Sequence, residues 1–163
     1  MEVHSAPGPP RTHIVIAGGR RIAVLEVQPH RGQGHIERAD HTRWSLERPP
    51  GGGEWWVADQ QGRYLATLWR HTLVAEHFAL QLLELHLEVV SVGPLWQRRW
   101  EVRDPRARTL IEVCQRRLAR PVHDVTVRSG DLPRELPLLV AWTVALAAGP
   151  PISETRRSRW TAA

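Results

Sequence analysis

Apolar and polar positions alternate through most of the chain, and a wholly apolar run follows them. His13–Ala17 and Arg21–Gln28 alternate on either side of Gly18–Gly19, which predicts two strands and a tight turn. Pro29 to Asp40 is polar, contains glycine and reads as a loop. Arg43–Arg48 puts Trp44 and Leu46 on one face of a short strand. Pro49–Gly53 is a flexible connection. Residues 73–92 carry two patterns at once. Leu83 to Val89 alternates strictly, and Phe78, Leu80 and Leu82 alternate before it. The parity slips between Leu82 and Leu83, where a tight turn or bulge would restore it. Val74, Phe78, Leu82, Leu85 and Val89 would also line one face of a helix. Two strands are the preferred reading, because alternation spans most of the stretch. Val122–Arg128 is a last strand.

One pattern occurs twice. Residues 55–68 and 100–113 share W-x-V-x-D-x-x-x-R-x-L-x-x-(L/V), 45 positions apart. Trp and Val two apart point to one face of a strand. An Asp followed by Gln-Gln-Gly or Pro-Arg-Ala is turn chemistry, since its carboxylate can accept backbone N–H groups across the bend. Each copy therefore predicts a hairpin, and two copies predict a pseudo-repeated β architecture.

From Leu136 to Ala148 no side chain is charged, and only Thr143 and the Trp142 N–H are polar. Asp131 can cap the first N–H groups of a helix, Pro133 is tolerated in its first turn, and Gly149–Pro150–Pro151 ends the run. A helix apolar on every face is enclosed by protein or spans a membrane. Thirteen residues extend about 20 Å, and a bilayer core needs roughly 20 residues. A buried central helix is therefore expected, with no transmembrane span. The strands must cover it, so the expected fold is mainly β (α+β). It is a closed antiparallel barrel of about nine to twelve short strands around a buried hydrophobic C-terminal helix. The expected organisation is a disordered lead over 1–11, one barrel domain over 12–149, and a disordered Arg-containing tail over 150–163.

Composition narrows the function only slightly. Every one of the 22 basic residues is Arg, and the net charge is +5. The guanidinium fork suits phosphate and carboxylate, but a charge this modest does not by itself imply nucleic acid. One cysteine rules out an internal disulfide framework. MEVHSAPGPPR lacks the basic start and apolar core of a signal peptide. A cytoplasmic protein, with a peripheral membrane association as a candidate, is expected.

Paired W-x-V-x-D hairpins, short strands and a terminal apolar helix together resemble the LURP-one-related group. That group belongs with tubby C-terminal and phospholipid scramblase-like folds. The resemblance covers about residues 12–149. It implies a closed barrel threaded by its C-terminal helix, and a binding or scaffold role. Tubby domains bind phosphoinositide headgroups through basic side chains that include Lys, which this chain lacks. Scramblase-like members carry cysteine-rich and calcium-binding segments, which are also missing here. Neither activity carries over residue by residue.

The chain contains no G-x-S-x-G, P-loop, H-E-x-x-H, G-x-G-x-x-G or C-x-x-C motif. His30, His35 and His41 lie close in sequence but fit no compact metal motif, so they are weak candidates, and no cofactor is expected. His123 and Asp124 should point to opposite faces of their strand. The better candidate is an arginine edge on the second hairpin, formed by Arg98, Arg99, Arg103, Arg106, Arg108, Arg116 and Arg117. Such an edge could grip phosphate or carboxylate oxygens, with Trp96 beside it for an interface or a base. The structural alternative is a solvated wall with ion pairs to Glu101, Asp104 and Glu112. The expected function is a non-enzymatic binding or scaffold domain for anionic phospholipid headgroups or an acidic protein. The alternatives are a nucleic-acid-binding β domain and an enzyme with a His-containing pocket.

Overall fold

A computed structural model describes residues 1–5, 11–28, 33–48, 54–71, 77–94, 98–116 and 122–147. They form twelve strands and one helix: β1 (Glu2–Ser5), β2 (Arg11–Ala17), β3 (Arg20–Gln28), β4 (Gln33–Arg38), β5 (Arg43–Glu47), β6 (Glu54–Ala58), β7 (Tyr64–Arg70), β8 (His77–Leu82), β9 (Leu85–Val92), β10 (Arg99–Arg103), β11 (Thr109–Gln115), β12 (Val122–Val127) and α1 (Leu136–Ala147). Each strand pairs antiparallel with its neighbours in sequence, and β1 pairs with β12 to close the barrel.

The helix lies inside. Leu136 and residues 138–145 are each at most 5% exposed, so no face of α1 meets solvent. They share one apolar core with inward side chains from all twelve strands, from Val3 on β1 to Val125 on β12. The one hydroxyl, Thr143, donates to the Leu139 carbonyl one turn back at 2.8 Å and so needs no outside partner. Closure leaves no sheet edge unpaired.

The sequence repeat is longer than its motif. Strands β6–β7–β8 and β10–β11–β12 match in span at the same 45-residue offset. Their registers match too: Trp55 faces Leu68 and Leu68 faces Leu80, as Trp100 faces Val113 and Val113 faces Val125. A bulge follows Val57 and Val102 in the two copies. A third bulge follows Val15 between β2 and β3, so bulged hairpins recur every four strands around the ring. Val15, Val57 and Val102 are all buried.

Each repeated hairpin is closed by the same clasp. Asp59 Oδ1 accepts the backbone N–H groups of Gln61 and Arg63, both at 2.9 Å. Its Oδ2 accepts the Arg63 guanidinium at 2.6 Å through Nε and through Nη2. Asp104 does the same for Arg106 and Arg108, with a guanidinium contact of 2.7 Å. Gly62 (φ 75°) and Ala107 (φ 59°) occupy the left-handed position in each loop. The Arg108 backbone bond, working against desolvation, holds the Asp104 carboxyl below the usual carboxylate range. At Asp59 desolvation pushes up, and the bonds from Arg63 and Gln61 outweigh it. Asp59→Ala and Asp104→Ala should therefore destabilise their own hairpins to a similar degree. Amide hydrogen exchange should show it as lost protection at 61 and 63 in one variant and at 106 and 108 in the other.

Two expectations are corrected. Glu2–Ser5 is not a disordered lead but the strand that closes the barrel, hydrogen-bonded to both β2 and β12. Val3 is its one core side chain, too little alternation to signal a strand. Pro29 to Asp40 is not all loop, since Gln33–Arg38 forms β4 with Ile36 in the core. Gly34 is part of that strand for a packing reason: a Cβ there would come within 2.5 Å of the Glu26 carbonyl on β3. Gly34→Ala should force these strands apart and lower the thermal midpoint. The stretch with two patterns is two strands, joined at Leu83–Glu84, with Leu82 facing Leu85. Leu83 turns the chain with a φ of 55° and is 71% exposed. The interval 72–76, which includes Val74, lies outside the described residues, as do the tail 150–163 and Ala148.

An antiparallel ring sends alternate connections to the same end. The turns β2–β3, β4–β5, β6–β7, β8–β9 and β10–β11, and the segment leading into α1, all gather at one end, the turn end. The connections at the other end lie partly outside the described residues.

Candidate anion-binding face

The arginine hairpin is built, but most of its charge is already used. Arg99 and Arg103 flank Glu101 on the outer face of β10, and Arg103 reaches its carboxylate at 2.8 Å. The Thr109 hydroxyl adds a bond at 3.3 Å. The Arg103 bond, set against desolvation and joined by Arg99, holds the Glu101 carboxyl below the usual range. Arg108 is held by Asp104. Arg116 pairs with Asp124 and reaches Glu2 at 3.7 Å. Arg98 precedes β10 and does not share the Arg99–Arg103 face. Its charge acts on His123 in the interior. Arg106 is exposed at the turn, and Arg117 lies outside the described residues, as does Trp96. Glu112 pairs with Arg128 at 2.9 Å.

Apart from Arg106, the arginines that remain available stand elsewhere. Among the described residues, Arg20, Arg21, Arg43, Arg106 and Arg134 are exposed and have no ion pair or ring contact. All five belong to the turn end: Arg20 and Arg21 at the start of β3, Arg43 at the start of β5, Arg106 between β10 and β11, and Arg134 just before α1. Elsewhere Arg48 lies 5.0 Å from the Trp55 ring and Arg70 lies 5.8 Å from Phe78. Sequence reasoning missed all of the five except Arg106, because they are scattered over 115 positions of chain. The available signal was topological: alternate turns of an antiparallel barrel share an end, so arginines at every second connection converge.

A cavity of about 380 Å³ opens at this end. Its wall combines Trp44, Leu65, Leu82 and Leu83 with Arg38, Arg43, Arg63, Asp59 and Glu135. Arg63 is clasped by Asp59, and Arg38 lies 3.5 Å from Asp40 and 5.6 Å from the Trp44 ring. A second cavity, about 310 Å³, lies against β7 to β10 and includes Trp69, His71, His86, Glu88 and Arg103.

The histidines form no metal site among the described residues. His30 is outside them. His35 on β4 lies 3.5 Å from Glu26, and His41 sits at the β4–β5 turn with a φ of 64°. His123 and Asp124 do point apart: His123 is buried in the interior, edge-on to Trp100 at 5.6 Å, and Asp124 pairs with Arg116 outside. Burial, with the nearby charges of His13 and Arg98, lowers the His123 pKa to about 4. Cys114 is half-buried on β11, opposite Arg99 and Asp124.

No family model, curated protein or solved structure matches the chain. No helix among the described residues is long and apolar enough to cross a membrane.

Proposed function

We propose that the chain is a non-enzymatic binding module whose turn end engages an anionic surface, with anionic phospholipid headgroups as its partner. One observation carries this reading: the five exposed arginines without an ion pair or ring contact among the described residues all stand at that end. Guanidinium groups match phosphate oxygens in geometry and charge. Here they are distributed over separate turns rather than gathered in one pocket, which suits a surface of many charges better than a single small anion. Leu83 stands exposed on a turn among them, as an interfacial side chain would. The interior is filled by α1, which leaves ligands to the outside. The twelve-strand barrel around an apolar helix supports a likeness to the LURP-one-related and tubby-like group.

Vesicles of phosphatidylcholine with and without phosphatidylserine, at low and physiological salt, test the proposal. Binding is expected only with phosphatidylserine, and should weaken as salt rises. Binding to duplex DNA or to an acidic protein, with none to either vesicle, would replace the membrane reading. Binding to no polyanion would overturn it.

A further inference from the structure

Two opposite charges line the cavity at the turn end, and the exposed Glu37 stands opposite one of them, Arg43, across the β4–β5 pair. Arg43 and Glu135 both line it, and neither forms an ion pair with a described residue. The other charged side chains in its wall are matched locally: Arg63 to Asp59 and Arg38 to Asp40. What remains is one positive and one negative group over the apolar surface of Trp44, Leu65, Leu82 and Leu83. Both charges rest on fixed elements. Arg43 opens β5 directly before the buried Trp44. Glu135 stands at the foot of α1, where its carbonyl accepts the N–H groups of Leu138 and Leu139 at 3.1 Å.

From this we infer that the cavity binds a short apolar zwitterion, an unblocked dipeptide in size and charge. A volume of about 380 Å³ is within the range of small-molecule sites. The ligand's carboxylate would accept the two-pronged donation of Arg43, and its ammonium would donate to Glu135. Its apolar side chains would cover the leucines, including Leu83 at the lip. An inorganic anion would satisfy Arg43 but leave Glu135 facing it. A neutral apolar ligand would cover both charges without pairing either. The inference rests on the turn end being the binding face, but it needs no membrane.

Isothermal titration of the full chain with three probes tests it: leucyl-leucine, its N-acetyl form and its C-terminal amide. The free dipeptide should bind saturably, and each blocked form about tenfold or more weakly, as loss of a charge-assisted bond requires. Arg43→Gln should abolish the preference over the amide and keep the preference over the acetyl form. Glu135→Gln should do the reverse. Circular dichroism on both variants checks that the barrel is intact. Equal affinity for the three probes, or no saturation at millimolar concentration, overturns the inference. If that happens while phosphatidylserine vesicles still bind, only the cavity assignment falls. If vesicle binding is also absent, the reading of the turn end falls with it.

Discussion

Trp142→Asp is expected to leave no folded barrel at 25 °C. Trp142 is 1% exposed at the middle of α1, within a core supplied by all twelve strands. Its indole N–H has no hydrogen-bond partner. Removing a buried Trp side chain costs about 3–5 kcal/mol. Burying an unpaired carboxylate adds several kcal/mol more, or forces the group to take up a proton. Together these are comparable to the roughly 5–15 kcal/mol that a whole domain has to lose. Trp142→Phe keeps the apolar character and should remain folded, with a lower urea midpoint. Far-UV circular dichroism during urea unfolding distinguishes the two. A soluble Trp142→Asp protein with a native spectrum would show that α1 is not enclosed.

Acid is expected to remove about 3 kcal/mol of stability through His123 alone. The imidazole is buried against Trp100, near His13 and Arg98, and its pKa falls to about 4 from an unfolded value near 6.5. The unfolded chain therefore binds the proton more readily than the folded one. The stability is fully present above pH 6.5, declines as pH drops through the window and levels off below about 4. The gap between those pKa values corresponds to about 3 kcal/mol. His123→Phe removes the titrating group and keeps an aromatic in the core. Its urea midpoint should lose less between pH 7 and pH 4 than the wild type does. Equal losses in the two proteins would mean that His123 is not buried in its neutral form.

The barrel was legible because its parts are locally consistent. Strict alternation marked most of the wall, the Trp–Val–Asp repeat marked two hairpins, and an uncharged run marked the plug. Parity also decided residues 77–92, where the slip at Leu83 is the β8–β9 turn. β1 and β4 were not legible, because each contributes a single buried apolar side chain and is held mainly by backbone pairing. Backbone hydrogen bonds leave no trace in composition. The arginines show a different limit. On the second hairpin they are dense in sequence, but their acidic partners sit two residues along the same strand or in the adjoining turn, so density did not mean availability. The available ones are far apart in the chain and meet only once the ring is closed.

Among the described residues, exposed arginines without an ion pair or ring contact stand at the turn end, while those at the opposite end have partners. Arg20, Arg21 and Arg106 are exposed at the turn end. Arg48, Arg70 and Arg116 are exposed at the opposite end, each with a local partner. Replacing either set with Gln removes the same charge from the molecule. The most direct test is the affinity of the two triple variants for phosphatidylserine-containing vesicles at physiological salt, beside the wild type. The turn-end variant should lose about a hundredfold, at about 1 kcal/mol per arginine near the surface, while the opposite-end variant stays close to wild type. An equal loss in both would reduce the effect to net charge, and a larger loss in the opposite-end variant would contradict the placement of the binding face.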